Sequence, residues 1–166
     1  MKTNYKSFLL SSIAIIVFVL LDQWTKYLAV THLKNKPSIV ILDHVFELQY
    51  LENRGAAFGV LQNQRIFFLI ITIVILAAVM ILYKRIPDDT RFIPLKLCAL
   101  FICTGAIGNM IDRFINGYVV DFFYFSLINF PIFNVADIYV TVSTFVLAFL
   151  ILFYYKEEDI EKVFHR

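Results

Sequence analysis

Asp121, in the stretch VVDF (Val119 to Phe122), and Asp137, in FNVAD (Phe133 to Asp137), are carboxylic acids set among apolar residues. A carboxylate in or near hydrocarbon is costly, so it has a partner or a job. Two carboxyls a short loop apart can share one proton, because two close negative charges disfavour double ionisation. That arrangement serves acid–base hydrolysis of amides. The loop between them, FFYFSLINFPIFNV, is apolar and keeps both poorly solvated. Desolvation is therefore expected to raise the pKa of Asp121. Taken alone, Asp137 at the start of an apolar run reads as a helix N-cap. Asn134, three residues earlier, is spaced to orient it by hydrogen bonding.

Other polar residues interrupt apolar runs. In GNMIDR (Gly108 to Arg113), Asn109 and Asp112 are three apart and share a helix face. They read as a polar scaffold beneath a site, or Asp112 and Arg113 simply cap and anchor the helix. Gly105, Ala106 and Gly108 suit close helix packing. Asp22 and Lys26 are four apart, acid before base, which is the favourable order on a helix. The plain reading is a self-neutralising pair near the helix's outer end, with the lysine snorkelling to the headgroups; the other is that Asp22 faces the interior and orients a partner from another span. NRGAAFG (Asn53 to Gly59) reads as an ordinary turn or as a substrate-binding loop. His32, His44 and His165 lack matched acidic partners, and Ser126 and Ser143 lack a nearby histidine. Cys98 and Cys103 read as core or lipid-facing residues, pointing apart on a helix and too few for a metal site. No cofactor or metal is expected, and the aspartate pair is the catalytic constellation left.

The elements that must hold these residues are membrane spans. The chain has 166 residues, 60% hydrophobic and 17% charged, against about 45–50% and about 25% in soluble domains. A net charge of +2 gives no case for nucleic acid. The expected fold is a single all-α membrane domain over 1–166 with a small β part. Four segments have the length a bilayer needs, about 8–27, 66–83, 93–111 and 138–155. The first reads as an uncleaved signal anchor, since no small-x-small site follows it. Lys2, Lys6, Lys84, Arg85, Arg91, Lys96, Lys156, Lys162 and Arg166 fall on one side. The bias predicts both termini in the cytoplasm and the polar motifs on the outer face. An outer loop, about 30–65, contains SIVILDHVFELQYL (Ser38 to Leu51), whose alternation predicts one or two strands with a turn at Asp43-His44. A second outer loop covers about 112–137. The tail KEEDIEKVFHR reads as a solvated helix end.

The blocks DQWTK (Asp22 to Lys26), NRGAAFG, GNMIDR, VVDF and FNVAD, in this order across four spans, resemble the lipoprotein signal peptidase (signal peptidase II) family of bacterial aspartyl membrane proteases. The resemblance covers nearly the whole chain. It implies a catalytic dyad at Asp121 and Asp137, supported by Asp22, Lys26, Asn53, Gly55, Asn109, Asp112, Arg113, Asn134 and Ala136. It also implies an extracytoplasmic β-cradle at Ser38 to Leu51. The implied substrate is a diacylglyceryl-modified prolipoprotein, cut just before the lipidated cysteine, in the bacterial cytoplasmic membrane. Small size and a single site suggest a monomer among membrane lipids. Two positions depart from the family pattern. VVDF is often followed by a second acid, where this chain has Phe123 and Tyr124, and the last aspartate is often followed by serine, where it has Ile138. Two other classes compete: a small transporter or channel subunit using the buried charges as an ion path, and a non-enzymatic protein that holds lipidated peptides.

Overall fold

The computed structural model describes residues 5–55 and 60–164. Ala56, Ala57, Phe58 and Gly59 of the NRGAAFG block, with Lys2, His165 and Arg166, lie outside the described residues.

Four long apolar helices form the body: α1 (Tyr5–Leu33), α2 (Arg65–Arg85), α3 (Ile93–Ile115) and α4 (Val135–Phe149), the last running on as a π-helical turn over Leu150–Tyr154. Each is long and apolar enough to cross a membrane. All extend beyond or differ slightly from their apolar cores, because the polar residues at their ends are still helical. Pro94 sits in the first turn of α3, where its missing N–H costs nothing.

α3 is the central helix, and α1, α2 and α4 pack around it. Glycines make the closest approach possible. A Cβ at Gly105 would overlap the Ala136 carbonyl and the Val140 side chain of α4. One at Gly108 would come within 2.5 Å of the Asp22 carboxylate. Phe18, Phe101 and Tyr139 join α1, α3 and α4 through ring centroids 4.9–5.8 Å apart. The outward faces remain apolar, with Ile16 and Leu20 of α1 and Ile70 and Ile73 of α2 exposed, as a lipid-facing surface requires.

At one end of the bundle lies a three-stranded antiparallel sheet, β1 (Ile39–Leu42), β2 (Phe46–Asn53) and β3 (Val119–Tyr124), in that order. The expected turn forms at Asp43-His44, with His44 in the left-handed region at φ 55°. Leu48 and Tyr50 of β2 pack with Ala29, Leu33, Val120 and Phe122, so the period-2 pattern does bury one face. The third strand was not anticipated. VVDFFY carries no alternation and reads as an apolar loop, yet Leu51 pairs with Asp121 and Asn53 with Val119 across the ladder.

The opposite end closes on an apolar cluster of Ile86, Phe92, Cys98, Leu150, Tyr155 and Val163. Both cysteines are free and buried. Here the structure corrects the reading of the tail. Residues Glu157–Phe164 form a separate amphipathic helix, α5, with Asp159 and Val163 buried. Arg91 donates to Asp159 through Nε at 2.9 Å and Nη2 at 2.6 Å, fixing α5 to the α2–α3 turn. Both bonds end on Asp159 Oδ2, and they hold the Asp159 carboxyl below its usual range.

Candidate active site

A buried cation organises the polar end. Lys26, one turn from the end of α1's deepest stretch, is only 3% exposed. Its ammonium contacts Asp22 at 3.0 Å and Asp112 at 3.1 Å and donates to Asn109 Oδ1 at 2.9 Å. The lysine therefore does not snorkel. It compensates two carboxylates from different helices, which is what allows all three to be buried.

Each of those carboxylates has a second task. Asp22 Oδ1 accepts from the backbone N–H of Ala136 at 2.9 Å. Asp112 Oδ2 accepts from the backbone N–H of Val120 at 3.0 Å. These amides belong to the residues immediately before Asp137 and Asp121. The ion triad thus pins the start of α4 and the middle of β3 at the positions that aim the two aspartates. Gln23 braces the triad, donating through Nε2 to Asp112 Oδ1 at 2.9 Å and, more weakly, to Asp22 and the Gly108 carbonyl at 3.2 Å. Sequence reasoning passed over Gln23; its only signal was its place inside a polar pentapeptide in an apolar run.

Two asparagines form the next layer. Asn134 is fully buried and caps α4. Its side chain accepts from the Asp137 N–H at 3.0 Å, while the Asp137 carboxylate accepts from the Asn134 N–H at 3.1 Å. This reciprocal capping box revises the simple N-cap reading of Asp137: the cap is Asn134, and Asp137 is the residue it locks. Asn134 Nδ2 also donates to Asp121 Oδ1 at 2.6 Å and to Asn109 Oδ1 at 3.2 Å. Asn109 in turn donates to Asp137 Oδ1 at 2.8 Å. Asn109 and Asp112 both bond to groups on other elements, Asn109 to Lys26 and Asp137 and Asp112 to Lys26 and the Val120 N–H.

Asp121 is 1% exposed and takes a second hydrogen bond from Asn53 Nδ2 at 2.8 Å. Burial, reinforced by the nearby Asp137 charge and opposed by the two asparagines and Lys26, pushes its carboxyl up to about 7. At neutral pH Asp121 therefore retains or loses its proton with little cost. Asn53 Oδ1 accepts from the Gly55 N–H at 3.0 Å, and Arg113 donates to the Gly55 carbonyl at 3.2 Å with its guanidinium over the Phe68 ring at 4.6 Å. Arg113, Gly55 and Asn53 thus bring the described part of the NRGAAFG block to the two aspartates.

Both aspartates line one cleft of about 510 Å³, with Asn53, Asn109 and Arg113 at its polar floor. Its walls are apolar, built from Phe125, Phe130, Phe133, Ile138 and Val142. Phe133 continues into an aromatic cluster, tilted against Phe123 at 5.6 Å and stacked on Phe125 at 5.7 Å. A cleft of this size and lining takes an apolar ligand while a few polar groups orient it. Among the described residues no three His, Cys, Asp or Glu gather to hold a metal ion. The departure at Tyr124 is partnered locally, its hydroxyl donating to Asn129 at 2.8 Å; Ile138 adds apolar wall to the cleft.

Fold and site together define a four-span membrane protein built around a paired-carboxylate cleft at one end of its helices. The signal peptidase (SPase) II family model matches residues 13–153. A lipoprotein signal peptidase of Streptococcus thermophilus is 42% identical over 147 residues, 89% of this chain and 93% of the relative. One from Caldanaerobacter subterraneus is 43% identical over 146 residues, 86% and 96% of the two chains. A solved structure described as a bacterial membrane enzyme superposes with a TM-score of 0.76 at 35% identity, covering 86% of this chain and 87% of that one. The chain belongs to the signal peptidase II family.

Proposed function

We propose that Asp121 and Asp137 are the acid–base pair that hydrolyses the peptide bond between a signal peptide and a lipoprotein. Membership of the family makes the chain an aspartic peptidase that removes signal peptides from prolipoproteins. The observation that carries the residue assignment is the convergence of the scaffold: Asn53, Asn109 and Asn134 donate to these two carboxyls, and Asp22 and Asp112 hold the backbone N–H beside each.

In the mechanism, the pair holds one proton between its two carboxyls. The ionised member takes a proton from water as the water attacks the scissile carbonyl. The protonated member donates a hydrogen bond to the carbonyl oxygen and stabilises the charge that develops there. As the amine departs, the first carboxyl returns the proton to it, and the pair is restored. Asn109, Asn134 and Asn53 keep both carboxyls in place throughout. Lys26 offsets the charge of the two buried supports.

The substrate is a prolipoprotein whose cysteine carries diacylglyceryl, cut before that cysteine. An apolar cleft at a helix end supports this reading, because each acyl methylene buried at the membrane boundary contributes about 0.8 kcal/mol. The site faces the outside of a bacterial cell membrane, with both termini in the cytoplasm. The lysine and arginine bias toward the α2–α3 turn and the tail supports that orientation. The polar network is complete within one chain, which supports a monomer. The transporter reading loses its footing, because the charges buried within the described membrane spans, Asp22, Lys26 and Asp112, gather at one end, while the other end of the described bundle is an apolar cluster with Arg91–Asp159 at its rim.

The test is a gel-shift cleavage assay with purified protein in detergent or lipid. Lipidated and unlipidated prolipoprotein are offered to the wild type and to Asp121→Asn and Asp137→Asn. Cleavage of the lipidated form alone, lost in both variants, is the expected result. Substantial turnover by a folded variant would remove that residue from the pair.

A further inference from the structure

We propose that the apolar core of the signal peptide lies as a helix in a membrane-facing trench between α2 and α4, floored by α3, and ends in an apolar cavity at the far end of the bundle. The proposal rests on the function read above, and extends it to how the leaving segment of the substrate is held.

The far cavity, of about 190 Å³, has an almost wholly apolar wall. It is remote from the carboxylates, yet it lies on the same helix faces. Leu95, Ala99 and Ile102 of α3 line it, while Asn109 and Arg113 of α3 line the cleft. Steps of three, four and seven keep these five positions on one stripe of a helix. On α4, Asp137 and Thr141 line the cleft and Leu147 and Ile151 the cavity. On α2, Phe68 stands beside Arg113 at the cleft end, and Val79, Leu82 and Ile86 line the cavity. α2 and α4 flank α3 without packing extensively on each other. Between the two ends the same stripes carry Ala106 on α3 and Thr144 and Ala148 on α4, so small side chains leave the connecting stretch open.

Length and direction fit a signal peptide. From Asn109 to Leu95 the floor is about 20 Å long at a rise of about 1.5 Å per residue. An apolar signal-peptide core of about 7–15 residues is about 10–22 Å long when helical. A peptide whose scissile bond sits at the carboxylates has its preceding residues directed back into the membrane, along this floor. Ile160 and Val163 of α5 close the far end, and the Arg91–Asp159 pair holds that closure in place.

The experiment is site-specific photo-crosslinking in the full-length protein. Asp121→Asn is used to retain uncleaved, lipidated prolipoprotein, and one photoreactive residue is placed at Thr141, at Ile151 or at Leu20. Ile151 and Leu20 are both exposed, at 47% and 61%, so the probe is tolerated. The expected result is a signal-peptide adduct at Thr141 and at Ile151, with Leu20, which lies on α1 and lines neither the cleft nor the cavity, about ten-fold lower or less. Adducts at Thr141 with Ile151 at the level of Leu20, or Ile151 adducts to phospholipid alone, would overturn the trench and leave the cleavage function standing. No adduct at either position, together with no cleavage by the wild type, would overturn both. In the otherwise wild-type protein, Ile151→Trp is expected to raise KM about five-fold with kcat within about two-fold, the mark of lost uniform binding. An unchanged KM would also count against the trench.

Discussion

The two ends of this bundle are packed by opposite means. At the cleft end, the side chains that hold the helices together are the buried Asp22, Lys26, Asp112 and Asn134 and the half-buried Asn109, joined by hydrogen bonds and ion contacts of 2.6–3.2 Å. At the far end they are Ile86, Phe92, Cys98, Leu150 and Tyr155, with ion pairs such as Arg91–Asp159 at the rim. Hydrogen bonds are directional and costly to leave unmade, so a polar core specifies orientation. Apolar packing is non-directional and tolerates small rearrangement. The protein places directional packing where two carboxyls must be aimed, and tolerant packing where helices need only be held together.

That contrast can be broken most sharply at the carboxyls themselves. Asp121→Asn or Asp137→Asn should lower prolipoprotein cleavage by about 10²–10⁴-fold, the range of a lost acid–base group, while circular dichroism and thermal unfolding show the fold retained. Lys26→Met strands Asp22 and Asp112 without their cation. Removing one partner of a buried ion network costs roughly 3–5 kcal/mol, and because the triad aims both aspartates, turnover should fall together with stability in a denaturation and activity series. At the apolar end, Leu150→Ala should cost about 2–3 kcal/mol through lost burial and a cavity, yet leave kcat unchanged. A matching loss of kcat would mean that the two ends are mechanically coupled.

Titration sharpens the same contrast. Asp121, at about 7, lies above its ordinary value of about 3.9. The folded chain therefore holds a proton there that the unfolded chain releases. Its contribution to stability is fullest below pH about 4 and is lost as pH rises through about 7. Asp121→Asn should remove this decline, so thermal unfolding at pH 8 should show the variant more stable than the wild type. The smallest effect is expected at the rim. Arg91 is partly exposed, and Arg91→Ala should cost under about 1 kcal/mol with kcat unchanged.

Span number, membrane class and the family blocks were legible because they are local properties. Hydrocarbon thickness sets the length of an apolar run, and strand alternation marks the face of Phe46 to Leu51 on which Leu48 and Tyr50 pack. The spacing of Asn134 and Asp137 was likewise enough to expect their hydrogen bond, since a capping box spans three residues. What the chain alone left open depends on partners distant in sequence. Whether Lys26 snorkels or is buried turned on Asp112, a residue of another helix. Whether VVDFFY is loop or strand turned on the free edge of β2, which supplies the ladder that an unpatterned segment cannot show. Gln23 gained its role only when α3 brought Asp112 and the Gly108 carbonyl within reach. Whether α5 is solvated or docked turned on Arg91 and an apolar floor assembled from three helices. Local pattern thus determined which elements form. Only tertiary packing decided which polar groups are desolvated together, because a buried charge is stable only where folding delivers its partner.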